Sequence, residues 1–248
     1  MGQLRSFTFL AAFYLATAAF AVIASPLLLV PRRYAMMGLR LHARVCLWLM
    51  RVIVGTTFEV RGRQFIPAGP ALVAAKHQSA WETFALIPLL NDPAMIMKAE
   101  LGLIPFYGWF AHKFEHILVA RERGPAALRG LIRDANARAF AGRQIVIFPE
   151  GTRQLVGAPA TYKPGVVALY EGLELPCVPV ALNSGVFWPH LGAPLRSGTI
   201  VVEFLEPLPP GLPRAAVRAE LERRIEEATL RLVAEAGNDE RGQTQSKH

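Results

Sequence analysis

Cysteine is almost missing from this chain. Cys46 and Cys177 are its two, each inside an apolar run, which leaves no material for a disulfide framework or a thiolate metal site. Both read as small buried hydrophobes in a reducing compartment. Acidic residues are also scarce: 19 Asp and Glu stand against 27 Lys and Arg, for a formal net charge of +8. Such a surface attracts an acidic partner, whether anionic lipid, nucleic acid or an acidic carrier protein, and charge alone does not choose among them. No internal repeat, G-x-G-x-x-G fingerprint, Walker loop or G-x-S-x-G elbow occurs. Dinucleotide binding by that fingerprint, P-loop chemistry and an elbow-type serine nucleophile are thereby set aside.

Apolar length is what the chain has in excess. Apolar residues make up 52% of it and its mean hydropathy is +0.29, high for a soluble protein. Residues 7–30 are uncharged and long enough to cross a hydrocarbon core as a helix, with Pro26 placed to kink or end it. A cleaved leader would use Val22-Ile23-Ala24, but apolar residues resume at Leu27, too long for a leader's core. The first six residues also match a myristoylation pattern, which is redundant beside such a stretch. Next come Arg33, Arg40, Arg44 and Arg51, which on a helix fall within about 40° of one another. Leu39, Leu41, Val45, Leu47, Trp48, Leu49 and Met50 fill the remaining circumference. A cationic stripe on an apolar helix suits the lipid headgroup boundary; the plainer reading is a body helix with a solvated Arg face. Arginine lines an apolar helix here rather than interleaving with aromatics, so nucleic acid is not the expected partner. The Arg excess after the first apolar stretch predicts a body on the cytoplasmic side of the cytoplasmic membrane.

Residues 1–56 therefore read as membrane-anchoring helices, 57–236 as the globular body and 237–248 as a polar, disordered tail. Within the body, candidate strands at 57–60, 71–75, 94–97, 117–120, 144–148, 177–182 and 199–204 alternate with helical runs at 80–90, 125–141 and 164–172. A last charged helix is expected over 214–236. The pattern predicts an α/β fold, a mostly parallel or mixed central sheet flanked by helices, with chemistry at the strand ends.

Two segments carry the chemistry. His77 and Glu82 lie five apart, too far around one continuous helix to meet, but a helix beginning at Ser79 brings them together. The carboxylate then fixes the imidazole tautomer and the free nitrogen takes a proton from a hydroxyl. Ser79-Ala80-Trp81-Glu82 is also a capping box, so Glu82 could serve only the backbone. For the pair alone both readings stand. The second segment, Phe148-Pro149-Glu150-Gly151-Thr152-Arg153, follows a strand with a flexible Gly, a hydroxyl and a guanidinium fork suited to phosphate. Arg121 and Lys98 follow two other candidate strands; singly each is a solvated charge, together they make an anion site. A base beside a phosphate clamp points to acyl transfer onto a phosphorylated alcohol. His112-Lys113-Phe114-Glu115-His116 matches a zinc pattern, but a strand starts at once and no third ligand is evident, so no metal is expected.

These residues resemble the glycerolipid acyltransferase family over about 62–207. The likeness rests on four motifs in order: His77 with Glu82, the run from Ile117 to Arg121, the run from Phe148 to Arg153, and Val178-Pro179-Val180. The resemblance implies His77 as general base, Glu82 as its partner, and Arg121, Arg153 and Lys98 as ligands of glycerol phosphate, with Glu150, Gly151 and Thr152 in the same binding group. It implies transfer of a fatty acyl group from acyl-CoA or acyl carrier protein to lysophosphatidic acid, giving phosphatidic acid in membranes without a cofactor. The alternatives are another lysolipid acceptor, such as a lyso-aminolipid, and a non-catalytic lipid-binding protein. The chain departs from the pattern with Glu82 where Asp is commoner, Glu115 where Gly is usual and Gln154 in place of Ser.

Overall fold

The computed structural model of the chain describes residues 2–120, 124–189 and 193–245, with side chains followed to Asn238. Every run read above as a strand forms one: β1 (Thr56–Arg61), β2 (Ala71–Ala75), β3 (Pro93–Lys98), β4 (Ile117–Val119), β5 (Gln144–Ile147), β6 (Cys177–Leu182) and β7 (Gly198–Phe204). They make one mixed sheet in the order β1-β7-β6-β2-β5-β3-β4. β6, β2, β5, β3 and β4 run parallel, and β7 meets β6 antiparallel. The carboxyl ends of five strands therefore share one edge.

Both faces of the sheet are covered, which explains why its strands are apolar at consecutive positions. Along β2, Val73 and Ala75 join one core while Leu72 and Ala74 join the other. The first core is closed by α1 (Gly2–Ile23), α2 (Arg32–Leu49) and α3 (Trp81–Leu89). The second is closed by α5 (Gly124–Phe140), α6 (Pro164–Leu173) and α8 (Arg214–Gln245). Two short helices lie in connections: α4 (Tyr107–Lys113) in the crossover from β3 to β4, and α7 (Ser184–Phe187) just after the carboxyl end of β6. α8 continues to Gln245 instead of giving way to a disordered tail at Gly237. That stretch includes Gly237 and Gly242 but no proline, the residue that would remove a ladder hydrogen bond and clash with the preceding turn.

The front of the chain is a helix pair. α1 stops at Ile23, and Pro26 falls in the 3₁₀ turn Ser25–Leu28 that follows. α1 is long and apolar enough to cross a membrane by length and composition. Thr17 Oγ1 lies 3.1 Å from His42 Nε2 of α2, joining the two helices. In α2 and the helical turn that follows it (Met50–Val54) the expected stripe is partly realised: Arg33, Arg44 and Arg51 are exposed, and Arg40 is half-buried. The apolar surround is corrected. Leu41, Val45 and Trp48 face outward, but Leu39, Leu47, Leu49 and Met50 pack on the first core, so the helix has two apolar faces rather than one. Both cysteines are buried and free.

Candidate active site

β2 ends at Ala75, and the residues after it continue its alternation for one step. Lys76 turns toward α8 and His77 toward α3. His77 Nδ1 lies 2.9 Å from Glu82 Oε1. The same oxygen accepts the backbone N–H groups of Gln78 at 2.6 Å and Ser79 at 2.7 Å, and Trp81 N donates to Ser79 Oγ at 3.0 Å. The capping box thus forms, and the carboxylate that closes it is also the one that holds the imidazole. The two readings of Glu82 are one arrangement: starting α3 just after Ser79 and Ala80 is what folds Glu82, in its first turn, back over Ser79 and His77.

Glu82 is fully buried, and its other oxygen faces two hydroxyls, Ser79 Oγ at 2.8 Å and Ser184 Oγ at 2.7 Å. Burial pushes its pKa up, but the His77 hydrogen bond and charge, the Ser79 amide and Ser184 outweigh that and hold it below the ordinary carboxylate range. An ionised Glu82 accepts only, so Nδ1 of His77 carries the hydrogen, and in the neutral ring Nε2 is the nitrogen with the lone pair. Nε2 has no hydrogen-bond partner among the described residues, and the side chain keeps 13% of its surface exposed. The ring stacks on Phe148 at 4.2 Å and 20°, which fixes its plane.

Phe148 opens the second segment, directly after β5, the neighbour of β2. Gly151 adopts φ +71, closing a tight turn in which its N–H donates to Phe148 O at 2.9 Å. Gln154 N donates to His77 O at 2.8 Å, so the turn docks directly on His77. Thr152 and Arg153 are left exposed beside it. Lys98, the exposed last residue of β3, lies two strands from β2 on the same edge. Arg121 lies outside the described residues. The structure therefore brings His77, Glu82, Thr152, Arg153 and Lys98 to one edge. Gly151 contributes the turn, since its amide is spent on Phe148.

The grouping of Glu150 with the phosphate-binding side chains does not hold. Its carboxylate is completely buried on the far side of the turn, with Oε1 2.9 Å from Lys76 Nζ. That approach is close enough to pair the charges but leaves neither oxygen with a well-aligned hydrogen bond. Burial pushes the Glu150 pKa up, with Lys76 opposing. Lys76 Nζ also donates to both oxygens of Glu226 on α8, at 2.7 and 2.8 Å, and Tyr162 Oη donates to Glu226 at 3.1 Å. One ammonium thus ties the residue before His77 to the residue before Gly151. Lys76, Ser184 and Glu226 escaped the sequence reading. A Lys directly after an apolar strand demands a buried partner, a usable signal; only topology, by setting β6 beside β2, brings Ser184 to Glu82.

A cavity of about 230 Å³ opens between residues 155–160 and α8, with Lys76, Gln78 and Glu226 in its wall. It lies on the Lys76 side of the strand end, and neither His77 nor Glu82 lines it. The candidate site is therefore centred on the His77–Glu82 pair and not on the cavity.

A family model described as Acyltransferase matches residues 57–183, just over half of the chain and all of the site residues just described except Glu226 and Ser184. The chain belongs to the Acyltransferase family. A 1-acyl-sn-glycerol-3-phosphate acyltransferase of Pseudomonas aeruginosa is 38% identical over 159 residues, 64% of this chain and 62% of that protein. A lyso-ornithine lipid O-acyltransferase of the same organism is 29% identical over 198 residues, 73% of this chain and 74% of that protein. The crystal structure of the 1-acyl-sn-glycerophosphate acyltransferase PlsC from Thermotoga maritima superposes with a TM-score of 0.73 at 21% identity, covering 95% of this chain and 97% of that one. It shows the same fold.

One departure within this Acyltransferase chain has a visible cause. Glu115 has φ +55, the left-handed region where glycine costs least. Its carboxylate lies 3.5 Å from the buried Arg143, 3.6 Å from Arg138 and 3.8 Å from Arg32 at the start of α2. Arg32 also grips Asp92 through two hydrogen bonds of 2.8 Å. The strained residue is part of a charge network joining the front helices to the sheet. His116, from the zinc-like pattern, uses Nδ1 to accept Met95 N at 3.2 Å, and burial lowers its pKa to about 3.

Proposed function

We propose that this Acyltransferase family member moves a fatty acyl group from a thioester, acyl-CoA or acyl carrier protein, to the sn-2 hydroxyl of lysophosphatidic acid, giving phosphatidic acid at a membrane. The observation that carries the reading is the 2.9 Å contact between His77 Nδ1 and Glu82, with Nε2 unpartnered among the described residues and the Arg153 turn bonded to His77 itself. Arg153, with Lys98 and Arg121, holds the acceptor phosphate so that its free hydroxyl meets Nε2. As the hydroxyl oxygen attacks the thioester carbonyl, its proton passes to Nε2, and the ionised Glu82 stabilises the imidazolium. Collapse breaks the carbon–sulfur bond, and the thiolate takes that proton away. No covalent enzyme intermediate is required.

The basic surface suits the phosphates of acyl-CoA or an acidic carrier. α1 and α2 hold the body at the cytoplasmic face of the cytoplasmic membrane, where the lysolipid lies. The similarity to a lyso-ornithine lipid acyltransferase favours a second reading, the same transfer to a phosphate-free lysolipid. Purified protein assayed with each acceptor, products identified by mass, separates them. Phosphatidic acid formation with no acylated ornithine lipid supports the first reading; the reverse replaces it with the second.

A further inference from the structure

Between β3 and α4 the chain displays its side chains inside out. Leu103 is 83% exposed, Trp109 54%, Ile104 47%, Tyr107 44% and Phe106 36%. Five large apolar residues in seven positions exceed the scattered exposure of an ordinary soluble surface. The segment is held in this shape. A side chain on Gly108 would stand 2.0 Å from the carbonyl oxygen of Gly102, so the two strands of the loop touch through bare backbone. Gly108 N donates to Ile104 O at 2.7 Å, and Phe106 occupies φ +61, a conformation a non-glycine residue adopts only when its surroundings impose it.

The next residues join this lip to the front helices. Phe110 and Phe114 are buried in one cluster with Ala24, Ala35 and Met36, and the Phe110 ring lies 5.9 Å from that of Phe20 on α1. Nearby on the helix pair, Ile23 and Leu29 are themselves exposed. Lys98 begins the segment, so the lip hangs from the strand-end edge that carries His77.

We infer that the lip enters the same lipid leaflet as α1 and α2, forming a second membrane contact beside the entrance to the site. This rests on the membrane reading of the front helices. A bilayer is the occupant because the lip is packed through Phe110 onto α1, whose most apolar stretch is only 11% buried. A protein partner would have to cover that helix as well as the lip. Tyr107 and Trp109 are the amphipathic rings that settle at a headgroup boundary, and Lys98 and Lys113 flank them with positive charge. A lysolipid would then pass from the leaflet to the strand ends between two apolar supports.

The test uses the full chain and vesicles of phosphatidylcholine and phosphatidylglycerol. Trp48→Phe protein, with and without Trp109→Phe, is titrated with vesicles of brominated lipid. Quenching of the Trp109 share of the fluorescence is expected; emission untouched by the bromines overturns the inference. A Leu103→Asp, Trp109→Asp double variant is then assayed on long-chain lysophosphatidate in vesicles and on a short-chain, monomeric one in solution. At least a tenfold loss on the vesicle substrate, with solution activity within about twofold of the parent, is expected. Equal rates on both substrates, or a parent dimer that the variant breaks without change in vesicle binding, would also overturn it. Should the parent acylate neither lysophosphatidate, the acceptor assignment falls, and the bromine quenching still decides the lip.

Discussion

Glu82→Gln is the substitution that separates a base-steadying carboxylate from a capping one. Oε1 of Glu82 receives three donors that cannot turn, His77 Nδ1–H, Gln78 N–H and Ser79 N–H, whereas Oε2 faces the hydroxyls of Ser79 and Ser184. A glutamine amide fits with its oxygen in the first place and its NH₂ toward the hydroxyls, which rotate to accept. The cap survives and the charge is lost. A hydrogen bond to a charged partner contributes about 1.5–3 kcal/mol, and it is strongest when His77 is cationic in the transition state. Losing it should lower kcat roughly 10- to 150-fold while the KM for lysophosphatidate changes little. The variant should also respond to pH in a defined sense. The folded-state pKa of Glu82 lies below its unfolded value, so its stabilisation is present above the unfolded pKa and fades as pH falls through the folded one. The stability gap between the parent and Glu82→Gln should therefore narrow on acidification below about pH 4.5. Single-turnover rates and urea unfolding from neutral pH downward measure both. A folded Glu82→Gln protein with parental kcat would refute the pairing, leaving Glu82 as a cap.

Arg153→Ala should raise the KM for lysophosphatidate roughly 10- to 100-fold, as loss of a charge-assisted phosphate contact implies, and leave kcat nearly unchanged; an unchanged KM beside a lowered kcat contradicts a ground-state clamp. Lys76→Met strands the buried Glu150 carboxylate and should cost about 3–5 kcal/mol in urea unfolding, whereas a loss under about 1 kcal/mol would mean that the pair is not what anchors the turn. Glu115→Gly trades a left-handed non-glycine residue for half-exposed ion pairs, so stability should stay within about 1 kcal/mol of the parent; a loss above about 3 kcal/mol would show that those pairs are strong.

The sheet was readable because its strands are short apolar runs bounded by turns, and seven such runs became seven strands. In the candidate site, the geometry was readable at residues whose contacts are local. Ser79 and Glu82 announced a helix start, and the Gly151 turn announced a strand exit. Strand order was not readable, so nothing in the sequence set Ser184 of the β6 connection beside Glu82, or Glu226 of α8 beside Lys76. Glu150 misled because its neighbours share its motif but not its direction: the turn points Arg153 outward and Glu150 into the body. α2 misled for a related reason. Helical angles predict which residues share a stripe, but not how many stripes the rest of the chain will cover.

The central claim is that His77 removes the acceptor's proton. The direct measurement is the initial rate of phosphatidic acid formation, followed by mass, by purified His77→Ala protein whose circular dichroism and Tm match the parent. The account predicts a fall of roughly 10²- to 10⁴-fold with KM values little changed. A folded variant that retains a tenth or more of the parental rate would contradict it.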